Sequence, residues 1–81
     1  MKVTFLSRPG CHLCDEALTE LEGHIGEVEL EVVNIETDDD LHRRYLELIP
    51  VILIDGEKVS ELAFSSEEFD AAVARRRQGQ G

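Results

Sequence analysis

At residues 8–10 the hydrophobic pattern of this chain changes period. Lys2 to Ser7 form a short apolar run rich in strand formers, and Arg8-Pro9-Gly10 breaks it. From Cys11 onward Cys14, Ala17, Leu18 and Leu21 recur at helical spacing, with Asp15, Glu16, Glu20 and Glu22 on the opposite face. Asp15 and Glu16 suit the first turn of that helix, and Gly23 is the expected stop. Residues 28–35 read as a second strand, because Val28, Leu30 and Val32 alternate with Glu29 and Glu31. A strand, a helix and a strand at this spacing predict a right-handed parallel βαβ unit.

The remaining elements follow from local signals. Thr37 to Asp40 make a loose capping box, with Asp in place of the usual Glu or Gln. A short helix is expected after it through Leu48, burying Leu41, Tyr45 and Leu48, until Pro50 blocks continuation. Val51-Ile52-Leu53-Ile54 reads as a central strand. Asp55-Gly56 is a hairpin signal, so residues 58–62 should return antiparallel. Ser65 with Glu68 forms a capping box for the last helix, and Phe64 and Phe69 are spaced as a hydrophobic staple. Arg75-Arg76-Arg77 should close that helix as a solvated end that complements its dipole. The predicted order is β-α-β-α-β-β-α, an α/β fold with a four-stranded mixed sheet.

Chain length bounds this to one domain, since 81 residues leave no room for a second core. Residues 1–77 form that domain, and 78–81 (Gln-Gly-Gln-Gly) read as a flexible polar tail. Acidic residues outnumber basic ones 18 to 8, for a formal net charge of -10. Such a surface repels phosphate backbones and anionic lipid, so neither nucleic acid nor membrane is expected as a partner. Residues 1–6 are too short for a signal-peptide core, and no apolar stretch reaches the ~20 residues of a membrane span. A cytoplasmic location is therefore expected. In a reducing compartment a close cysteine pair points to catalysis or metal binding rather than to a structural staple.

Cys11-His12-Leu13-Cys14 lies where the first strand turns into the first helix. A thiol at a helix N-terminus faces unpaired N–H groups and the positive end of the dipole, both of which favour the nucleophilic thiolate. Two sulfurs three residues apart on a helix start share a face and can bond after small adjustment. Cys11, at the tip, is the expected attacker; Cys14, one turn in on the apolar face, is the expected resolving thiol. Arg8 and His12 could stabilise the Cys11 thiolate, while Asp15 and Glu16 act against it. Cys11, Cys14 and His12 supply at most three metal ligands, short of a closed tetrahedral zinc site. A metal or iron–sulfur module is thus the weaker alternative, and a non-catalytic interaction domain with relic cysteines is a third. His24 and His42 are expected at the surface, and Tyr45 in the core.

With these residues in place, the chain resembles the glutaredoxin-like branch of the thioredoxin superfamily across residues 2–77. The resemblance rests on Ser7-Arg8-Pro9-Gly10-Cys11-His12-Leu13-Cys14, on Ile49-Pro50-Val51 at the start of the third strand, on the Asp55-Gly56 hairpin and on the final helix. It implies a thioredoxin-like (glutaredoxin-type) fold, a parallel first strand pair and a hairpin antiparallel to the first strand. It also implies a cis Pro50 against the cysteine pair, a backbone contact from Ile49 to a bound thiol substrate, and Arg8 as the family's basic residue before the first cysteine.

The implied activity is thiol–disulfide exchange on a protein or small-molecule disulfide. Glutathione or a thioredoxin-type protein would be the electron donor, the protein would be a monomer, and no metal or organic cofactor would be needed. Its potential would fall at about -200 to -270 mV. The chain departs from the family at residues 59–64, Val-Ser-Glu-Leu-Ala-Phe. Glutaredoxins usually carry Gly-Gly and an Asp there to hold glutathione as co-substrate. Glu61 in that place would repel the tripeptide's carboxylate.

Overall fold

In the computed structural model, which describes residues 1–26 and 28–79, the predicted order of elements is present. The strands are β1 (Lys2–Ser7), β2 (Glu29–Asn34), β3 (Val51–Ile54) and β4 (Glu57–Glu61); the helices are α1 (His12–Ile25), α2 (Asp39–Tyr45) and α3 (Ser66–Gly79). They build an α/β fold on one four-stranded mixed sheet in the order β2-β1-β3-β4. β1 pairs parallel with β2 and antiparallel with β3, and β3 pairs antiparallel with β4. These are the strand directions that the resemblance implied.

The core lies around β1 and β3. Val3, Phe5, Val51, Ile52 and Ile54 are fully buried, together with Leu21 of α1 and Ile35. Burying a side chain of this size stabilises the fold by about 1.5–3 kcal/mol. Ala17, Ala72 and Phe69 complete the packing from the two long helices. The Asp55-Gly56 turn has φ of 49° and 86°, the two positive values that a tight two-residue hairpin demands.

Local signals at the last helix act as the sequence indicated. The N–H of Glu68 donates to Ser65 Oγ at 3.2 Å, and the Phe64 and Phe69 rings lie 6.0 Å apart.

Other boundaries differ from expectation. α1 does not stop at Gly23 but runs to Ile25, and Gly26 takes the positive φ of 66°. A helical glycine costs about 1 kcal/mol. Ile25 offsets this by packing on the core, and His24 lies in the helix rather than in the loop after it. His24 Nε2–H donates to Asp70 Oδ1 at 2.7 Å, and its ring meets Phe64 and Phe69 edge-on at 5.6 and 5.7 Å. It remains at the surface, yet it ties α1 to α3.

α2 is capped by Asp38, not Thr37. Asp38 Oδ1 accepts from the N–H groups of Asp40 and Leu41, whereas Thr37 Oγ1 donates to the Asn34 carbonyl. The helix ends at Tyr45, short of Leu48, and the N–H groups of Leu48 and Ile49 both turn back to the Tyr45 carbonyl. Leu41, Tyr45 and Leu48 are half-buried against the core, and His42 is half-buried too.

The arginine triplet is not a purely solvated helix end. Arg76 Nη2 donates to the Ile54 carbonyl at 2.7 Å and to Glu57 at 2.9 Å, and Nη1 donates to Asp55 at 3.2 Å. It fastens α3 to the β3–β4 hairpin. α3 itself continues through Gly79, so residues 78 and 79 are helical rather than tail; the rest of the expected tail, residues 80 and 81, lies outside the described residues. Among the described residues no helix is long and apolar enough to cross a membrane.

Candidate active site

Cys11 is the N-cap of α1, with the extended backbone that a cap requires (φ −92°, ψ 105°). Its Sγ accepts a hydrogen bond from the Cys14 N–H at 3.2 Å, and its carbonyl accepts from the Asp15 N–H at 3.1 Å. One of the donors left unpaired at every helix start is therefore aimed at the Cys11 sulfur. Cys11 is half-buried, and both cysteines are free thiols.

Cys14 is different in kind. It is 2% exposed and belongs to the hydrophobic core with Ala17, Leu21 and Ile49. Burial pushes its thiol up to about 12, and the hydrogen bond with Cys11 adds to the rise; a backbone hydrogen bond from Arg8 works the other way. At neutral pH Cys14 is a protonated thiol behind an accessible one.

The other candidate residues divide into two groups. The Arg8 backbone reaches Cys14, but its side chain is exposed. His12, the first residue of α1, is also exposed. Ile49 and Pro50 are buried, and the bond between them is cis. Of the Ile49 backbone, the part expected to meet substrate, the N–H already donates to the Tyr45 carbonyl at 3.1 Å. Its carbonyl is the group left for the contact that the resemblance implied.

Residues 62–64, beyond β4, join the two halves of this site. The Leu62 N–H donates to the carbonyls of Leu48 and Pro50, both at 2.9 Å, which ties the segment to the cis proline. On its other side Leu62, Ala63 and Phe64 share a groove with Leu13, Glu16, Ala17 and Glu20 of α1. Leu62 has φ of 71°, a left-handed conformation that glycine adopts freely and leucine does not. Glu61, expected to repel a glutathione carboxylate, is paired with Lys58 Nζ at 2.6 Å. Sequence reasoning did not reach Leu13, Leu62 or the two glutamates as neighbours. The one departure that the sequence showed here was the absence of the family's Gly-Gly pair from residues 59–64. Among the described residues no group of three or more His, Cys, Asp and Glu is placed to hold a metal ion.

A four-stranded mixed sheet with a Cys-x-x-Cys at the start of its first helix and a cis proline before β3 defines a thioredoxin-fold protein of the glutaredoxin-like kind. More particularly, the chain belongs to the family described as Glutaredoxin-like domain (DUF836), whose model matches residues 2–76. Solved structures agree. Protein Ne2328 from Nitrosomonas europaea is 29% identical, with 88% of each chain covered and a TM-score of 0.75. Protein XcR50 from X. campestris is 26% identical over 90% of this chain and 96% of its own, with a TM-score of 0.74. Thioredoxin 1 from Thermosipho africanus, at 17% identity, 99% and 98% coverage and a TM-score of 0.67, shares the fold. No curated protein matches.

Proposed function

We propose that this protein is a thiol–disulfide oxidoreductase that reduces protein or small-molecule disulfides through Cys11 and Cys14. The observation that carries this reading is the asymmetry of the pair. A backbone N–H donates to the sulfur of accessible Cys11, while Cys14 sits buried and protonated one turn behind it. The Cys11 thiolate attacks a substrate sulfur, the substrate S–S bond breaks, and one half leaves as a thiolate. Cys14 then loses its proton to solvent and attacks Cys11 Sγ. This breaks the mixed disulfide, forms Cys11–Cys14 and releases the second half as a thiol. Two electrons pass from the protein dithiol to the substrate. Glutathione or a thioredoxin-type protein would return them in a reducing, cytoplasmic setting, and the chain would work as a monomer without a metal.

A redox titration tests this. The protein is equilibrated in glutathione buffers from reducing to oxidising, quenched in acid, and weighed intact. A reversible loss of two hydrogens with a midpoint at about -200 to -270 mV is expected. A glutathione adduct that forms on the wild type and is absent from Cys11→Ser would make glutathione a co-substrate. If both thiols stay reduced under strongly oxidising buffer, the proposal fails.

A further inference from the structure

The groove between residues 62–64 and α1 begins at Leu13, two residues on from Cys11. Leu13 is 59% exposed and Leu62 is 51% exposed. Scattered surface leucines are ordinary. Here two of them, from distant parts of the chain, line one depression with Ala17, Ala63 and Phe64. The Phe64 ring is held by His24 and Phe69, so the apolar wall has a fixed backing. At ≈ 100 Å³ the groove is small beside the roughly 300–1,000 Å³ of small-molecule sites, and has room for a single side chain.

Its charge narrows the occupant further. Glu16 and Glu20 are exposed on its rim, one helical turn apart, and no lysine, arginine or histidine is among its lining residues. A second copy of the chain would bring like charges together, and the net charge of -10 opposes anionic lipid. A polypeptide with an apolar side chain beside a basic one meets both the leucines and the glutamates.

Resting on the oxidoreductase reading, we propose that Leu13, Leu62, Ala63 and Phe64, with Glu16 and Glu20, form a docking groove for polypeptide disulfides whose cysteine is flanked by a large apolar residue and a lysine or arginine. The substrate class is then protein or peptide disulfide, selected by the residues beside its cysteine.

Single-turnover oxidation of the reduced protein tests this without any electron donor. Three disulfide-linked peptides, with Leu–Lys, Leu–Glu or Ser–Lys flanking the cysteine, are compared with hydroxyethyl disulfide. The Leu–Lys peptide is expected to react about tenfold faster than Ser–Lys, and about threefold faster than Leu–Glu. The second preference should vanish near 1 M salt, where screening acts within about 3 Å. Leu62→Ser should shrink the leucine preference, and Glu16→Gln/Glu20→Gln the lysine preference. Each is a ratio read within one variant, so a change in overall rate cancels.

If hydroxyethyl disulfide is reduced but wild type treats the three peptides alike, the docking proposal is overturned alone. The same holds if both variants keep both preferences. If neither hydroxyethyl disulfide nor any of the three peptides is reduced, the oxidoreductase reading fails and takes the groove with it. A dimer in sedimentation that Leu62→Ser dissociates would assign the groove to a second copy and overturn the proposal.

Discussion

The backbone N–H of Cys14 donates to Cys11 Sγ at 3.2 Å, so a sulfur stands where an oxygen ordinarily caps a helix. One hydrogen bond thus serves two ends: it satisfies an open donor of α1, and it holds the accessible sulfur beside the buried one.

The pH dependence of the resolving step follows from Cys14. Its thiol is pushed up to about 12 by burial, and only the thiolate attacks. With Cys11 blocked as a mixed disulfide the burial of Cys14 remains, so release by Cys14 should speed up about tenfold per pH unit while its thiol stays protonated. Stopped-flow measurement of thiol release between pH 6 and 9 would show this; a flat profile would exclude Cys14 as the rate-setting thiol.

Stability should depend on the same group in the alkaline range. An unperturbed thiol titrates near 9.0 and the folded Cys14 thiol at about 12. Between these values the native state keeps a proton that the unfolded chain has lost. The stabilisation is therefore full below 9.0 and is lost as pH rises toward 12. The urea midpoint of the reduced protein should fall through this window, and Cys14→Ala should fall less. Equal losses in the two proteins would refute the assignment.

Leu62 is held at a positive φ that costs a leucine about 1–2 kcal/mol. Leu62→Gly relieves this and returns about 0.5–1 kcal/mol through the entropy of the unfolded chain. The glycine variant should therefore be as stable as wild type or up to about 1.5 kcal/mol more so, on these two opposing effects. Leu62→Val, β-branched at the same φ, should lose about 1 kcal/mol or more. Urea unfolding of the pair reads the difference, and the reverse order would show the turn relaxing on substitution.

Arg76 donates to a carbonyl and two carboxylates of the hairpin while keeping part of its side chain in water. Arg76→Ala should cost about 1–2 kcal/mol. Arg76→Lys should recover less than half of that loss, because a single ammonium cannot span three acceptors as the guanidinium does. A full rescue by lysine in chemical denaturation would mean that charge alone matters there.

Ser60 predicts a gain rather than a loss. Its Oγ is buried and has no hydrogen-bond partner among the described residues. Leaving a hydroxyl unpaired in the core costs about 1–3 kcal/mol, so Ser60→Ala should raise stability by about 1 kcal/mol. A lower thermal midpoint for the alanine variant would contradict this.

Features legible in the sequence share a short range. The Ser65 cap, the Phe64–Phe69 staple, the Asp55-Gly56 turn and the strand-to-helix change at Cys11 each arise within a few residues. Where a local signal misled, other contacts had overridden it. α1 runs past Gly23 to Ile25, where Ile25 and His24 have partners to reach, and the Thr37 hydroxyl is bound to Asn34 while Asp38 caps α2.

By itself, then, the sequence determined the order of elements and the placing of two cysteines at a helix start, since hydrophobic period and turn chemistry act between near neighbours. Only the tertiary structure decided how completely Cys14 is buried, that Arg76 closes on the hairpin, that the Ile49 N–H is already taken and that Leu62 stands beside Leu13. Burial and long-range pairing depend on how β1, β3 and the helices close around one core, which no local pattern specifies.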